Sequence, residues 1–249
     1  MRRWLGSATV LLAGCVSAVT PRTGDVLGRG EDAVSLHLSA TWALGRIEQY
    51  RPNQPVERWN SGPLVERSFW WFSPLLAEVS LGLGLGHGCE GSLLLGLARL
   101  GGEVRCAAAD EDEGHPVSLA FAVGGGYQPA RSFWARAGFD LSRRADGGTT
   151  PFADVYVSLQ RQDHRDPADR FFGGLWQREL RLTAALGAQV VPGDGQTGMV
   201  LAAAPFVPLW AGPARFCGFT LSGPPCWTSD SRRFRQPFGV DVTGGMVLR

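Results

Sequence analysis

No lysine occurs anywhere in this chain; all 24 basic residues are arginine. That points to genome composition more than to function. Against the arginines stand 23 acidic residues, for a formal net charge of +1. Without Arg2 and Arg3, 22 basic residues face 23 acidic ones and the balance becomes −1. Neither value indicates a nucleic-acid or polyanion partner. Beyond the first eighteen residues no apolar run reaches the roughly 18 residues of a transmembrane helix. No segment shows a helical period, no CxxC pair suggests a cysteine metal site, and no cofactor is expected. The run Asp110-Glu111-Asp112-Glu113 lacks the spaced ligands and turn glycine of a calcium loop. Gly124-Gly125-Gly126 ends a strand pattern with no helix after it, so it is not a phosphate-binding loop.

What the chain does contain is an unusually strict two-residue period. In residues 75–86 one parity reads Leu75, Ala77, Val79, Leu81, Leu83, Leu85 and is wholly apolar, while the other, after Leu76, reads Glu78, Ser80, Gly82, Gly84, Gly86. Side chains alternate between faces only on an extended strand. A water-facing sheet normally carries long polar side chains on its outer face, whereas glycine and serine suit a crowded barrel lumen and an aliphatic ridge suits lipid. The stretch is long enough to cross a bilayer, which takes about 9–11 tilted residues.

The N-terminus has a basic start (Arg2, Arg3), an apolar run over residues 4–13 and then small residues, the layout of a secretory signal peptide. Its end, Leu12-Ala13-Gly14-Cys15, resembles the lipobox of bacterial lipoproteins. That resemblance implies cleavage before Cys15, a diacylglycerol thioether on its sulfur and a palmitate-type acyl group on its amino nitrogen. Val16 in second position favours outer-membrane sorting by the same analogy. Ordinary cleavage after Val16-Ser17-Ala18 is the competing reading. The expected organisation is a signal peptide over 1–14, a linker over 15–32 and a barrel over 33–249.

An exported chain can form disulfides, and four further cysteines remain: Cys89, Cys106, Cys217 and Cys226. Cys217 with Cys226 would close a short loop around Gly223-Pro224-Pro225; Cys89 with Cys106 then follows. The second pair is difficult if the intervening residues form one straight strand, whose ends would lie roughly 50 Å apart. Either the chain bends there, at Gly101-Gly102 for example, or the pairing is different.

Strands are expected over residues 33–44, 75–86, 92–105, 116–128, 132–143, 152–160, 177–190, 198–207, 214–221 and 238–248. The last two before the C-terminal strand are the weakest. Ten is an even number, as single-chain bacterial barrels require, and eight is the alternative. The fold class is therefore all-β, an antiparallel up-and-down transmembrane β-barrel. Residues 45–73 read as a long first loop, with Phe69-Trp70-Trp71-Phe72 set for an interfacial aromatic girdle or a small loop core. With the N-terminus in the periplasm, the first loop, the acidic loop, the 143–151 loop and the 223–236 loop fall outside. The 128–131 connection falls on the periplasmic side. Residues 161–176 are long yet fall where a short turn belongs.

Over essentially the whole mature chain this pattern resembles small outer-membrane β-barrel proteins of Gram-negative bacteria. The resemblance implies an outer-membrane location, with outer-membrane lipid as the surrounding partner; no protein partner or oligomeric state is indicated. The chain ends Met246-Val247-Leu248-Arg249, without the terminal aromatic residue that many such barrels use for insertion.

Taking the small and polar parity as lumenal collects His37, Glu78, Arg136, Asp140, Asp154, Glu179, Arg181 and Asp241 in the interior. Mixed charges in a narrow lumen pair with one another and fill it; a narrow ion path is the next reading. His37 with Ser39 or Glu78 is the one candidate catalytic set, and such spacing is common by chance. A structural, surface-interaction or narrow-pore role without catalysis is expected. The alternative is a soluble, lipid-anchored barrel resembling bacterial lipocalins, with the apolar parity inward around a hydrophobic ligand.

Overall fold

A computed structural model describes residues 22–50, 64–96, 99–128, 132–145, 147–164, 174–192, 197–213, 215–217, 226–228 and 232–248. The strands are β1 (Asp32–Tyr50), β2 (Leu64–Gly86), β3 (Cys89–Gly96), β4 (Leu100–Ala109), β5 (Ser118–Gln128), β6 (Ser132–Ser142), β7 (Thr149–His164), β8 (Gly174–Val190), β9 (Thr197–Ala211), β10 (Arg215–Cys217), β11 (Cys226–Thr228) and β12 (Arg232–Leu248). β1 to β9 pair antiparallel in chain order, β9 pairs with β12, and β12 returns to β1. The sheet thus closes on itself through ten long strands, and closure leaves it no exposed edge. β10 and β11 form a small hairpin against the start of β8.

The alternation that marks each strand sorts its side chains as lipid and lumen demand. Along β9 every second side chain is buried: Leu201 is 66% exposed and its neighbour Ala202 3%. On β1, Val34, Leu36, Leu38 and Trp42 face out, while Ser35, His37, Ser39 and Thr41 are buried. The apolar parity points outward on every long strand whose side chains are described. This is a transmembrane β-barrel. An inward apolar parity, as the lipocalin-like alternative requires, is not what the chain adopts.

Two strand expectations are corrected, and the errors cancel in the count. Residues 92–105 are two strands, β3 and β4, reversing over 97–99, where the Gly96 amide donates to the Arg99 carbonyl at 2.8 Å. The reversal lies earlier than Gly101-Gly102 and puts Cys89 opposite Cys106, which are disulfide-bonded. Of residues 214–221 only 215–217 are described, and they form β10 of the small hairpin rather than a strand of the wall. The first loop also shrinks, because β1 runs on to Tyr50 and β2 begins at Leu64, so Phe69-Trp70-Trp71-Phe72 are strand residues.

Splitting 92–105 reverses the direction of several later connections. One end of the barrel, the termini end, gathers the approach to β1, the His87-Gly88 turn, residues 110–117, residues 143–148, residues 191–196 and Leu248. At the opposite end lie the strand ends Tyr50 and Leu64, Gly96 and Leu100, Gln128 and Ser132, His164 and Gly174, and Ala211 and Arg232. The acidic loop and the 143–151 loop therefore lie with the termini, contrary to expectation, and 128–131 lies opposite them. Of the expected 161–176 connection, residues 161–164 belong to β7 and 174–176 to β8, and both strand ends lie at the end opposite the termini. Most exposed aromatics lie towards the opposite end, including Trp70, Tyr127, Phe133, Trp210 and Phe238, with Trp70 edge-on to Phe238 at 5.7 Å, while Phe121 and Phe139 pair nearer the termini end. The termini-end rim is aliphatic, with Leu85, Leu141, Val190, Met199 and Leu248.

Candidate functional site

The lumen is the place where this chain concentrates its chemistry. Its centre is Arg105, on β4, whose Nε donates to Asp140 Oδ2 at 2.7 Å, Nη1 to Glu90 Oε1 at 2.8 Å and Nη2 to the Thr23 carbonyl. Tyr156 donates its hydroxyl to the other Asp140 oxygen. Arg136 Nε donates to Glu103 Oε2 at 2.5 Å, and its guanidinium lies 5.1 Å from the Tyr156 ring centre and 6.0 Å from that of Trp134. Arg99 grips both oxygens of Glu78 and covers the other side of the network at 5.0 Å from Trp134. Across the lumen Arg181 donates to Glu179 at 2.9 Å and stacks on Phe206 at 3.8 Å, while Thr41 donates to Asp241 at 2.5 Å. A buried charge persists only when partnered, and arginine's planar fork suits both carboxylates and ring faces.

The termini end is closed by the chain's own N-terminal stretch. Residues 22–31, part of the expected linker, enter the lumen before turning into β1. Arg22 donates to Glu90 Oε1 at 2.8 Å, to Ser92 Oγ at 2.7 Å and to Ser80 Oγ. The Gly24 amide donates to Ser142 Oγ and the Leu27 amide to Glu90 Oε2, both at 2.9 Å. Gly30 and Glu31 exchange backbone hydrogen bonds with Gly84. A Cβ on Gly84 would collide with the Gly28 carbonyl oxygen, so the small lumenal parity of β2 makes room for this segment. Between segment and wall a cavity of about 50 Å³ remains, lined among others by Arg22, Asp25, His37 and Gln189. Ligand pockets for drug-sized molecules run to roughly 300–1,000 Å³. This one has room for little beyond water.

Outside the lumen, Arg144 ties the termini end together. It donates to both oxygens of Asp112 at 2.5 and 3.0 Å, its amide donates to Glu111, and it lies 3.5 Å from Asp25. The hydrogen bond from Arg144 holds the Asp112 carboxyl below its usual range, and the same bond raises the Arg144 guanidinium. The acidic run is thus a capped turn, with Asp110 accepting from the Asp112 amide.

All eight lumenal residues expected from parity lie inside: seven are buried and Glu78 is half-buried. Of the candidate catalytic set, His37 and Glu78 are register partners across β1 and β2, while His37 Nε2 pairs with Ser35 Oγ at 2.9 Å, Ser39 accepts from Thr243, and Glu78 is held by Arg99. Among the described residues no three His, Cys, Asp or Glu side chains are placed to hold a metal ion. Cys217 and Cys226 are register partners across β10 and β11; Cys15 lies outside the described residues. Sequence reasoning missed Arg22, Glu90, Arg99, Glu103 and Arg105. A signal for two of them existed, since one unbroken strand over 92–105 puts Glu103 and Arg105 on the lipid face with Leu93 and Leu95. A turn that flips parity was the way out of that conflict.

No family model and no curated protein matches the chain. Among solved structures, the crystal structure of a Pseudomonas aeruginosa FadL homologue is similar at 8% identity and a TM-score of 0.28, over 88% of this chain and 90% of that one. A score that low supports no argument about either fold or role.

Proposed function

We propose that the chain is an outer-membrane barrel of a Gram-negative bacterium that does not conduct at rest, has no catalytic site, and acts structurally or through the long connections opposite its termini. The observation that carries this reading is the filled lumen: ion pairs across its middle and residues 22–31 across its termini end. With the termini in the periplasm, the connections over 51–63, 165–173 and 212–231 face the exterior. The surrounding partner is outer-membrane lipid, and no cofactor is invoked.

The reading includes lipidation at Cys15. Six residues separate it from Arg22, seven Cα steps with an extended reach of roughly 23 Å, sufficient for a lipid in the adjoining leaflet while Arg22 stays seated. Labelling with a palmitate analogue, lost in Cys15→Ser, is the expected result; label retained in that variant removes the anchor from the reading.

A second reading, a narrow pore, is favoured by one fact: the closing segment is held by hydrogen bonds rather than by a covalent link. Both are tested in planar bilayers with refolded protein that shows the gel-mobility shift on boiling. The closed-barrel reading expects no steady current from the intact chain and measurable current once residues 22–31 are deleted. Steady current from the intact chain overturns it in favour of the pore.

A further inference from the structure

We propose that the Cys89–Cys106 disulfide is a redox-modification site that latches residues 22–31 in the lumen, so that its reduction by a dithiol frees the closing segment. The proposal rests on the closed-lumen reading above. Cys89 faces Cys106 across β3 and β4, and the next register pair towards the middle of the barrel is Glu90 with Arg105. That pair is the seat of the segment. Glu90 takes the Arg22 guanidinium at 2.8 Å on one oxygen and the Leu27 amide at 2.9 Å on the other. Arg105 donates to the Thr23 carbonyl and to Glu90 itself.

This corner of the rim is otherwise loosely paired. β3 begins at Cys89, directly after the His87-Gly88 turn, and its register with β2 slips between Gly84 and Gly86. On the other side β4 slips against β5 between Ala107 and Ala109. Across the corner itself the Ala107 amide donates to the Gly88 carbonyl at 2.7 Å. With irregular ladders on both flanks, the disulfide is the covalent tie that keeps Glu90 and Arg105 aligned. Strand ends open locally first, so a bond at that point sets how often the seat is disturbed. The bond is also within reach of a thiol: both cysteines are half-buried, beside the exposed His87 and Gly88. Exchange balances as two electrons and two protons: the dithiol closes to its own disulfide, the Cys89–Cys106 bond breaks, and both cysteines become thiols.

The test is reduction of the refolded, heat-modifiable protein with dithiothreitol, read by amide exchange and by current in planar bilayers. In the reduced protein the Gly24 and Leu27 amides, which hydrogen-bond Ser142 and Glu90, should exchange faster while amides in the middle of β6 and β7 do not. The gain should be about a hundredfold, the loop entropy of a cross-link over about 15 residues taken as a population ratio. Current should appear on reduction, and C89S/C106S should conduct without dithiothreitol and not respond to it. Exchange at Gly24 and Leu27 unchanged by reduction overturns the latch, as does a dithiothreitol effect that persists in C89S/C106S. Where the double variant does not fold, the reduced, unsubstituted protein decides alone. The two readings fail separately. Steady current from the oxidised protein overturns the closed lumen and leaves the latch to the exchange measurement, whereas silence on reduction, in protein that conducts once residues 22–31 are deleted, overturns the latch alone.

Discussion

At the scale of single residues, the arginines divide into those that fill space and those that sit on the surface. Arg105, buried in the lumen, holds two carboxylates and a carbonyl. Removing one partner of a buried charge group costs about 3–5 kcal/mol, because the charges left behind stay buried. Arg105→Ala should therefore destabilise the barrel by about that much, read as the denaturant midpoint in lipid vesicles. Arg144 also holds a carboxylate, but its side chain is 46% exposed and Asp112's 68%; exposed pairs contribute about 0–1 kcal/mol. Arg144→Ala should barely move the midpoint. If the two substitutions cost the same, the lumen is wet and the closed-barrel reading is wrong.

The pH response of that surface pair follows in sign. Asp112 is held below its usual carboxylate range, so its contribution is complete above the unfolded value and disappears as pH falls through the lower folded one. Acidification should loosen the 110–113 turn at a pH below the usual carboxylate range. Amide exchange of the turn against pH measures this, and Asp112→Asn should abolish the step.

At the scale of elements, the two-residue period made the faces legible, because only an extended chain sorts side chains that way. The turns were less legible. Gly101 and Gly102 looked like the reversal between the cysteines, yet both stand inside β4, where a Cβ on Gly101 would strike Trp134. Gly101 makes room for the inward Trp134 and the Gly125 carbonyl rather than for a turn. The ends of β1 and β2 were hidden too, since charged and aromatic residues there interrupt the alternation. The closing segment left no period at all, since most of its contacts are made by backbone amides and carbonyls, with Arg22 and Asp25 adding side chains. What parity does establish can be tested on β9 and β12. Leu201→Arg, on the outward face mid-strand, should cost about 2–4 kcal/mol in vesicles, and Leu248→Arg at the rim about 0–1. Equal costs at the two depths would mean that no bilayer surrounds these strands.

At the scale of the whole molecule, one misread turn decides the sidedness of everything after it. Up-and-down connectivity makes each reversal swap ends, so dividing 92–105 into β3 and β4 moves residues 110–117 and 143–148 to the termini end. The two arrangements predict opposite accessibilities in intact cells. Short epitopes inserted at 51–63, at 110–114 and at 165–173 should be reached by antibody at the first and third sites only, with the second exposed once the outer membrane is opened. Staining at 110–114 in intact cells, with none at 165–173, would restore the single-strand topology and place Glu103 and Arg105 against lipid. Depth-dependent charge costs make that arrangement expensive at both positions, and the Cys89–Cys106 disulfide excludes it while intact. Reducing that bond opens a cross-link between residues 17 apart. For a closed loop of about 15 residues chain entropy sets the loss near 3 kcal/mol. The reduced protein should keep the same antibody pattern while melting earlier, since the β3–β4 register is also held by its outward leucines and inward ion pairs.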